Sequence, residues 1–403
     1  MNLVEIHNIK KNHINYDSCN KLCKLSKNLY NQALYEFNNR YKEDQHFIRY
    51  NEMENILKNL PEEYNNYKLL SSSVSQQILM LFDKNIKSYL SLIKLWKKDK
   101  SKLQGCPKFL KYKHKENGRN VVIIRGDKNV CKFKNGYIYF PKKLNLKPIK
   151  SINIKKQDDL IQIRIVPKSS CYTIELVYDK KIKENKGINK CAIDLGINNL
   201  AALTFTKFNA LIINGKDIKS INQYYNKKKS KIQSELILKN NKYTSNKLKQ
   251  FTDKRNRKIK DLLHKKSNKI IKIMEMNEIN EVVIGYNKEW KQNSKLGKKT
   301  NQTFISIPYN TFIDMLKYKC TLIGINVIIN EESYTSKCDA LALEPIKYHD
   351  KYLGKRIKRG LFQSSKNILL NADINGSLNI GRKVFGNDFI PTDTGFVVNP
   401  ISI

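Results

Sequence analysis

The sequence predicts a multidomain α+β protein: a strand-rich module interrupted by an inserted helical segment, followed by a mixed α/β domain. Three observations predict it. Apolar residues recur at helical spacing in residues 18–40 and 72–97. Short apolar runs crowd residues 105–180, and from 188 onward strands and helices alternate. A chain of 403 residues, 40% apolar, is long enough for two or three domains with substantial cores.

The helical segment comes first. Leu22, Leu25, Leu29 and Ala33 mark one amphipathic helix. Val74, Ile78, Leu81, Phe82, Ile86, Tyr89, Ile93 and Trp96 mark another, and PEEYNN at 61–66 reads as a turn between them. The runs VVIIR, YIYF, SINIK, IQIRIV and YTIELVYD, parted by Gly, Pro and Lys-rich turns, predict a small β-barrel. VEIHNIK near the N-terminus reads as its first strand, which makes the helices an insertion in it.

The last regime opens with CAIDLGI, AALTF and ALIIN, three strands with tight Gly/Asn turns. A long basic helical stretch over 216–280 follows, then the strand EVVIG, a helix over 308–323 and the strand INVIIN. NADINGSLNIGRKV reads as a final helix with Asp373 near its start. The order βββ, α, β, α, β, α is that of an RNase H type sheet. Residues 386–403 carry no periodic pattern and are expected to form a flexible tail.

Charge narrows the partner. Lys and Arg number 76 against 36 Asp and Glu, a net charge of +40. Such a charge repels itself and calls for an anionic partner; a nucleic acid fits best, and an ordinary small-molecule enzyme is disfavoured. Basic runs with Tyr and Asn between them, such as YYNKKKSKIQ and TDKRNRKIK, suit phosphate contacts. No apolar run reaches the roughly 18 residues that a membrane span needs, and the start lacks the apolar core of a signal peptide. An intracellular protein with mostly reduced cysteines is therefore expected. The eight cysteines form no CxxC pair, and Cys19 and Cys23, four apart on a helix, read as packing residues. The histidines show no ligand pattern; His264, on the basic helix, reads as a phosphate contact or a solvated side chain.

Asp194 on the first strand of the α/β domain and Asp373 at the start of its last helix come from separate elements that can converge. Hard carboxylate oxygens suit Mg²⁺, and two ions about 4 Å apart serve phosphodiester chemistry. The plainer readings stand beside this: a turn Asp in DLGINN, and a helix N-terminal Asp at 373.

AIDLGINNLAAL, the helix ending in HKKSNKI, YTSKCD and NADINGSLNI stand in the order and spacing of one family, and GCPKFLKYK at 105–113 matches its segment before the barrel strands. Together they resemble the TnpB family of transposon-associated, RNA-guided DNA nucleases, over most of the chain and most strongly over 188–385. The resemblance implies a wedge-like barrel from 1–15 and 105–187, and an inserted helical recognition domain at 16–104. It implies a RuvC-like nuclease domain from 188–337 and 371–385, an insert at 338–370 and a tail at 386–403. It further implies a Mg²⁺-dependent DNA endonuclease with two ions, acting with a guide RNA on double-stranded target DNA beside a short motif, in a prokaryotic cytoplasm at the nucleoid. Type V CRISPR effectors share the architecture, so a miniature effector is an alternative, as is a nuclease-inactive, RNA-guided repressor. A nuclease without a guide and a strand-transferring transposase are further rivals.

Two departures from the family pattern matter. Its middle catalytic Glu usually ends the fourth strand, where this chain has Gly285; Glu281 lies at the wrong end and Glu289 four residues beyond. The neighbouring strand end, NEESYTSKCD, offers Glu331 and Glu332, and strand alternation turns them to opposite faces. Glu332 is preferred as the middle ligand beside Asp194 and Asp373, with Glu331 as the alternative and Glu289 as a rival. Both also read as plain solvated strand-end charges. Second, Cys338 stands where the family opens a four-cysteine zinc ribbon, but residues 339–370 contain no cysteine and only His349. No structural zinc is expected. The basic insert, with GKRIKRGLFQSSK, reads as a strand-holding surface or a mobile loop.

Overall fold

In a computed structural model that describes residues 1–287 and 297–403, the chain divides into two units, 1–180 and 181–403. The first opens with β1 (Asn2–Ile9), then α1 (Tyr16–Asp44), α2 (Tyr50–Lys58) and α3 (Ser72–Lys98). Buried Cys19, Leu22, Cys23, Leu29, Ala33 and Phe37 on α1, and Val74, Ile78, Phe82 and Ile86 on α3, recur at three- and four-residue steps. Each helix therefore presents one apolar stripe. α2 lies outside the sequence expectation: its buried Met53 and Leu57 stand one turn apart, too few repeats to register as a period.

The strands β2 (Val122–Arg125), β3 (Lys132–Lys134), β4 (Tyr137–Tyr139), β5 (Ile149–Lys150), β6 (Leu160–Pro167) and β7 (Tyr172–Asp179) follow. They divide between a four-stranded antiparallel sheet of order β1-β7-β6-β2 and a three-stranded one of order β3-β4-β5. β1 pairs with β7 from Asn2↔Asp179 to Ile9↔Tyr172, so the N-terminal strand rejoins its module across the helices. SINIK is not a strand, contrary to expectation. The buried Glu5 carboxylate accepts hydrogen bonds from the Ile152 and Asn153 amides and the Ser151 hydroxyl. Those groups are satisfied by a side chain in place of a ladder.

The second unit is built on a mixed six-stranded sheet of order β12-β11-β8-β9-β10-β16. β8 (Asn189–Leu195), β9 (Asn199–Phe205) and β10 (Leu211–Asn214) form an antiparallel meander, followed by α4 (Lys216–Asn240) and α5 (Asn246–Met276). β11 (Ile279–Gly285) runs parallel to β8. After α6 (Lys298–Ser306) and α7 (Tyr309–Leu322), β12 (Asn326–Asn330) runs parallel to β11. Period-two alternation divides β8 between two cores. Cys191, Ile193 and Leu195 pack with residues of α5 and α7, whereas Ala192 packs with Ile374, Leu378 and Ile380 of α8 (Ala372–Phe385).

Between β12 and α8 the insert forms an antiparallel sheet, β13 (Lys355–Lys358), β14 (Leu361–Gln363) and β15 (Leu369–Asn371), rather than a mobile loop. The expected flexible tail is also structured. Phe389 and Val397 are buried, and after α9 (Gly395–Val398) the short β16 (Ile401–Ser402) adds in parallel to β10. The open edge of β10 supplies hydrogen bonds that no local period in 386–403 reveals. Among the described residues no helix is long and apolar enough to cross a membrane.

Candidate carboxylate site

The face of the sheet under α8 carries small residues. Ala192 pairs with Val283 on β11, and Asp194 pairs with Ala202 on β9. Beyond the Ile193–Ile284 pair come Asp194, next to last in β8, and Gly285, the end of β11, and α8 packs over both strands. Gly376 of α8 permits the approach: a Cβ there would stand 2.7 Å from Asp194 Oδ2. Asp373 sits in the first turn of the same helix, and the Asn371 side chain caps its amide at 2.9 Å.

Glu332 reaches this site from one strand over. The Tyr286 amide donates to Asn330 O (2.9 Å) and the Glu332 amide to Asn287 Oδ1 (3.1 Å), which carries the β11–β12 pairing past the strand ends. The Glu332 side chain then fills the space over Gly285. A Cβ at 285 would stand 2.8 Å from Glu332 Oε2 and 2.4 Å from Ile380 Cδ1. The glycine at 285 thus makes room for a carboxylate from the next strand.

The electrostatics match this crowding. Burial pushes the Asp194 carboxyl well above its ordinary range, and the Glu332 and Asp373 charges push it further the same way. Burial also raises Glu332, to about 7, with Glu331 adding to the effect and Lys383 opposing it. Glu332 Oε2 is buried and has no hydrogen-bond partner among the described residues. Such an oxygen, facing a second carboxylate, suits a hard divalent cation such as Mg²⁺. Among the described residues no three His, Cys, Asp or Glu side chains are already drawn in to ligand separation. The charges of Glu332 and Asp373 nevertheless both bear on Asp194.

The other expected residues lie elsewhere. Glu331 is exposed and pairs with Lys383 at 3.1 Å. Glu289 lies outside the described residues. Cys338 is buried, its thiol turned to the carbonyls of Pro345 (3.5 Å) and Lys347 (3.7 Å), while His349 Nε2 lies 2.8 Å from the same Pro345 oxygen. His264 is half-buried; burial, then Lys319 and Lys260, lowers its pKa.

Three neighbours were not legible in the sequence as site residues. Arg356 of β13 approaches Asp373 Oδ1 at 3.9 Å and draws the Asp194 carboxyl downward. Asn199 Nδ2 donates to Asp373 Oδ2 at 2.7 Å. Tyr309, fully buried, donates its hydroxyl to Gly196 O at 2.8 Å. The available signals were the second Asn of DLGINN and the basic KRIKR run, both read there for other purposes.

A family model for OrfB of IS605, described as a probable transposase, matches residues 170–291, and a Cas12f1-like TNB domain model matches 309–380. The chain is TnpB-like. The first match spans the meander with Asp194, α4, α5 and β11; the second spans α7, Glu332, the insert and most of α8. No curated protein matches the chain. Among solved structures, a Cas12f1–sgRNA–target DNA complex aligns over 89% of this chain and 81% of that one, at 17% identity and a TM-score of 0.55. The TnpB-like chain shares that fold. A CRISPR–Cas12f ternary complex aligns over 90% of this chain and 80% of that one at 14% identity, with a TM-score of 0.38.

Proposed function

We propose that the TnpB-like chain is an RNA-guided DNA endonuclease that hydrolyses phosphodiester bonds at Asp194, Glu332 and Asp373. The observation that carries this reading is the buried Glu332 oxygen over Gly285, without a hydrogen-bond partner among the described residues and on the face that bears Asp194. The three carboxylates would hold Mg²⁺, which when bound activates a water nucleophile and neutralises the departing oxygen. Asp194 would be the shared ligand, since both other carboxylates act on it. Arg356 brings a cation beside them that can meet a backbone phosphate. No structural zinc is part of this reading.

In the same reading residues 1–15 and 105–187 are a wedge-like barrel and 16–104 a recognition domain. Residues 188–337 with 371–385 are a RuvC-like nuclease domain, and 338–370 stand in place of a zinc ribbon. The charge of +40 supplies contacts to guide RNA and target DNA. Sequence is then read by base pairing with the guide, and a short motif beside the target by the protein. A transposon or CRISPR setting in a prokaryotic cytoplasm fits equally.

The test is expression with native flanking DNA, sequencing of copurified RNA, and cleavage of matched DNA in Mg²⁺. One dominant RNA with a constant scaffold, and cutting lost in Asp194→Ala, support the proposal. Random or absent RNA overturns the guide. Guided binding without cutting in Mg²⁺ or Mn²⁺ selects the inactive repressor. The family model's description favours one second reading, strand transfer by the same carboxylates; joined rather than cut DNA ends would select it.

A further inference from the structure

The turn after Asp194 is fastened from several sides. The Gly196 amide donates to Leu200 O (3.3 Å), and Tyr309 from α7 donates to Gly196 O (2.8 Å). The Gly215 amide holds Asn198 O (2.8 Å), and Lys219 of α4 holds the Asn198 side-chain oxygen (3.0 Å). Asn199, next in the chain, is therefore presented from a fixed backbone. Its Nδ2 donates to Asp373 Oδ2 at 2.7 Å, across 174 residues of sequence.

We propose that Asn199 is a positioning residue of the carboxylate site, whose amide sets which oxygen of Asp373 is turned toward a divalent cation. The terminal torsion of an aspartate is broad, so a carboxylate held at neither oxygen samples many orientations. Arg356, 3.9 Å from Asp373 Oδ1, pulls on the other oxygen. A donor on Oδ2 fixes the carboxylate plane against that pull. The donor is best neutral: a lysine here would cancel one of the three negative charges that attract a cation, and an acid would add a fourth. An amide fulfils both demands. Outer partners of this kind orient ligands and tune metal affinity. The inference rests on the reading of Asp373 as a metal ligand.

The test uses the full chain with its guide and two variants, Asn199→Ala and the near-isosteric Asn199→Leu, which lacks a donor. Both should need about tenfold or more Mg²⁺ for half-maximal cleavage, while the rate at saturating Mg²⁺ recovers to within about threefold. Mn²⁺ binding to the protein, followed by loss of the free-ion electron paramagnetic resonance signal, should weaken by the same factor. Target binding and the melting temperature should stay at the parent values. Parent-like Mg²⁺ and Mn²⁺ responses in the Leu variant overturn the role of Asn199. Asp373→Ala run in parallel separates the two levels. If it also binds Mn²⁺ like the parent, the metal reading of Asp373 itself falls; if it loses Mn²⁺ while the Asn199 variants do not, only the positioning role falls.

Discussion

Two sets of acidic side chains in the second unit are built in opposite ways. Asp339 and Glu344, at the root of the insert, are both almost fully buried. Every one of their carboxylate oxygens has a donor. Asp339 Oδ2 accepts from Ser364 Oγ, Ser365 N and Ser365 Oγ at 2.7–2.9 Å, and Oδ1 from the Ala342 amide at 3.2 Å. Glu344 accepts from the Asp339 amide (2.7 Å) and the Leu353 amide (2.9 Å). Asn375 and Asn379 of α8 donate to Cys338 O at 2.8 and 2.7 Å, tying the insert's root to the helix. Asp194 and Glu332, by contrast, face like charges, and one Glu332 oxygen has no hydrogen-bond partner among the described residues. Burial alone therefore does not mark function. A buried carboxylate with a complete donor set fits a structural role, whereas one left short among like charges fits the metal-ligand role proposed above.

The contrast breaks most visibly through activity. Asp194→Ala should reduce Mg²⁺-dependent cutting by about 10³-fold or more, equivalent to ~4 kcal/mol of barrier, yet leave the metal-free protein no less stable, since it removes a repelled charge. Asp373→Ala and Glu332→Gln should act in the same direction, and Glu331→Gln should be much milder. Cleavage lost in Glu289→Gln but kept in the double change at 331 and 332 would sink the relocated glutamate.

Asp339→Ala tests the other side. It strands the hydroxyl and amide donors around it, so chemical denaturation should show a loss of about 3 kcal/mol. The protein that remains folded should still cut. A variant as stable as the parent would remove the distinction between the two sets.

Gly285→Ala sharpens the geometry. The new methyl meets the ends of the Ile380 and Glu332 side chains, and both must shift to admit it. A destabilisation of ~1–3 kcal/mol is expected, with a rise in the Mg²⁺ needed for cutting because Glu332 is displaced. Unchanged Mg²⁺ dependence would mean that Glu332 does not work from over Gly285.

The smallest effect is on pH. Glu332 is raised from 4.5 to about 7, so the folded state holds its proton more tightly than the unfolded chain. Its contribution is present below about pH 4.5 and is lost as pH rises through about 7. The metal-free protein should thus melt lower at pH 8 than at pH 6, measured against Glu332→Gln, and added Mg²⁺ should close the gap. The reference variant matters because His264, held below its usual value by burial and by Lys319, shifts stability with the opposite sign. A pH response identical in the parent and Glu332→Gln would show that Glu332 is not held protonated in the fold.

Much of this was written locally. The stripes of α1 and α3, the meander after residue 188 and the last helix follow from periods of 3.6 and 2 that neighbouring residues carry themselves. The placement of Asp194 and Asp373 follows from the same patterns together with the family resemblance. Period-two alternation separated Glu332 from Glu331, and the two do turn apart in the structure. What failed to read locally had partners far away in sequence. SINIK has a strand's composition but is captured by Glu5, and residues 386–403 lack a period but complete the edge of β10.

The sequence by itself determined most of the elements and their order, the excess of positive charge and the candidate carboxylates, because each depends on residue type and short-range spacing. Only the tertiary structure decided that Gly285 leaves space for Glu332, that Asn199 grips Asp373, and that Asp339 is saturated while Glu332 is not. Those outcomes depend on which groups meet across strands and helices, and hydrogen-bond satisfaction is a property of the meeting rather than of either residue.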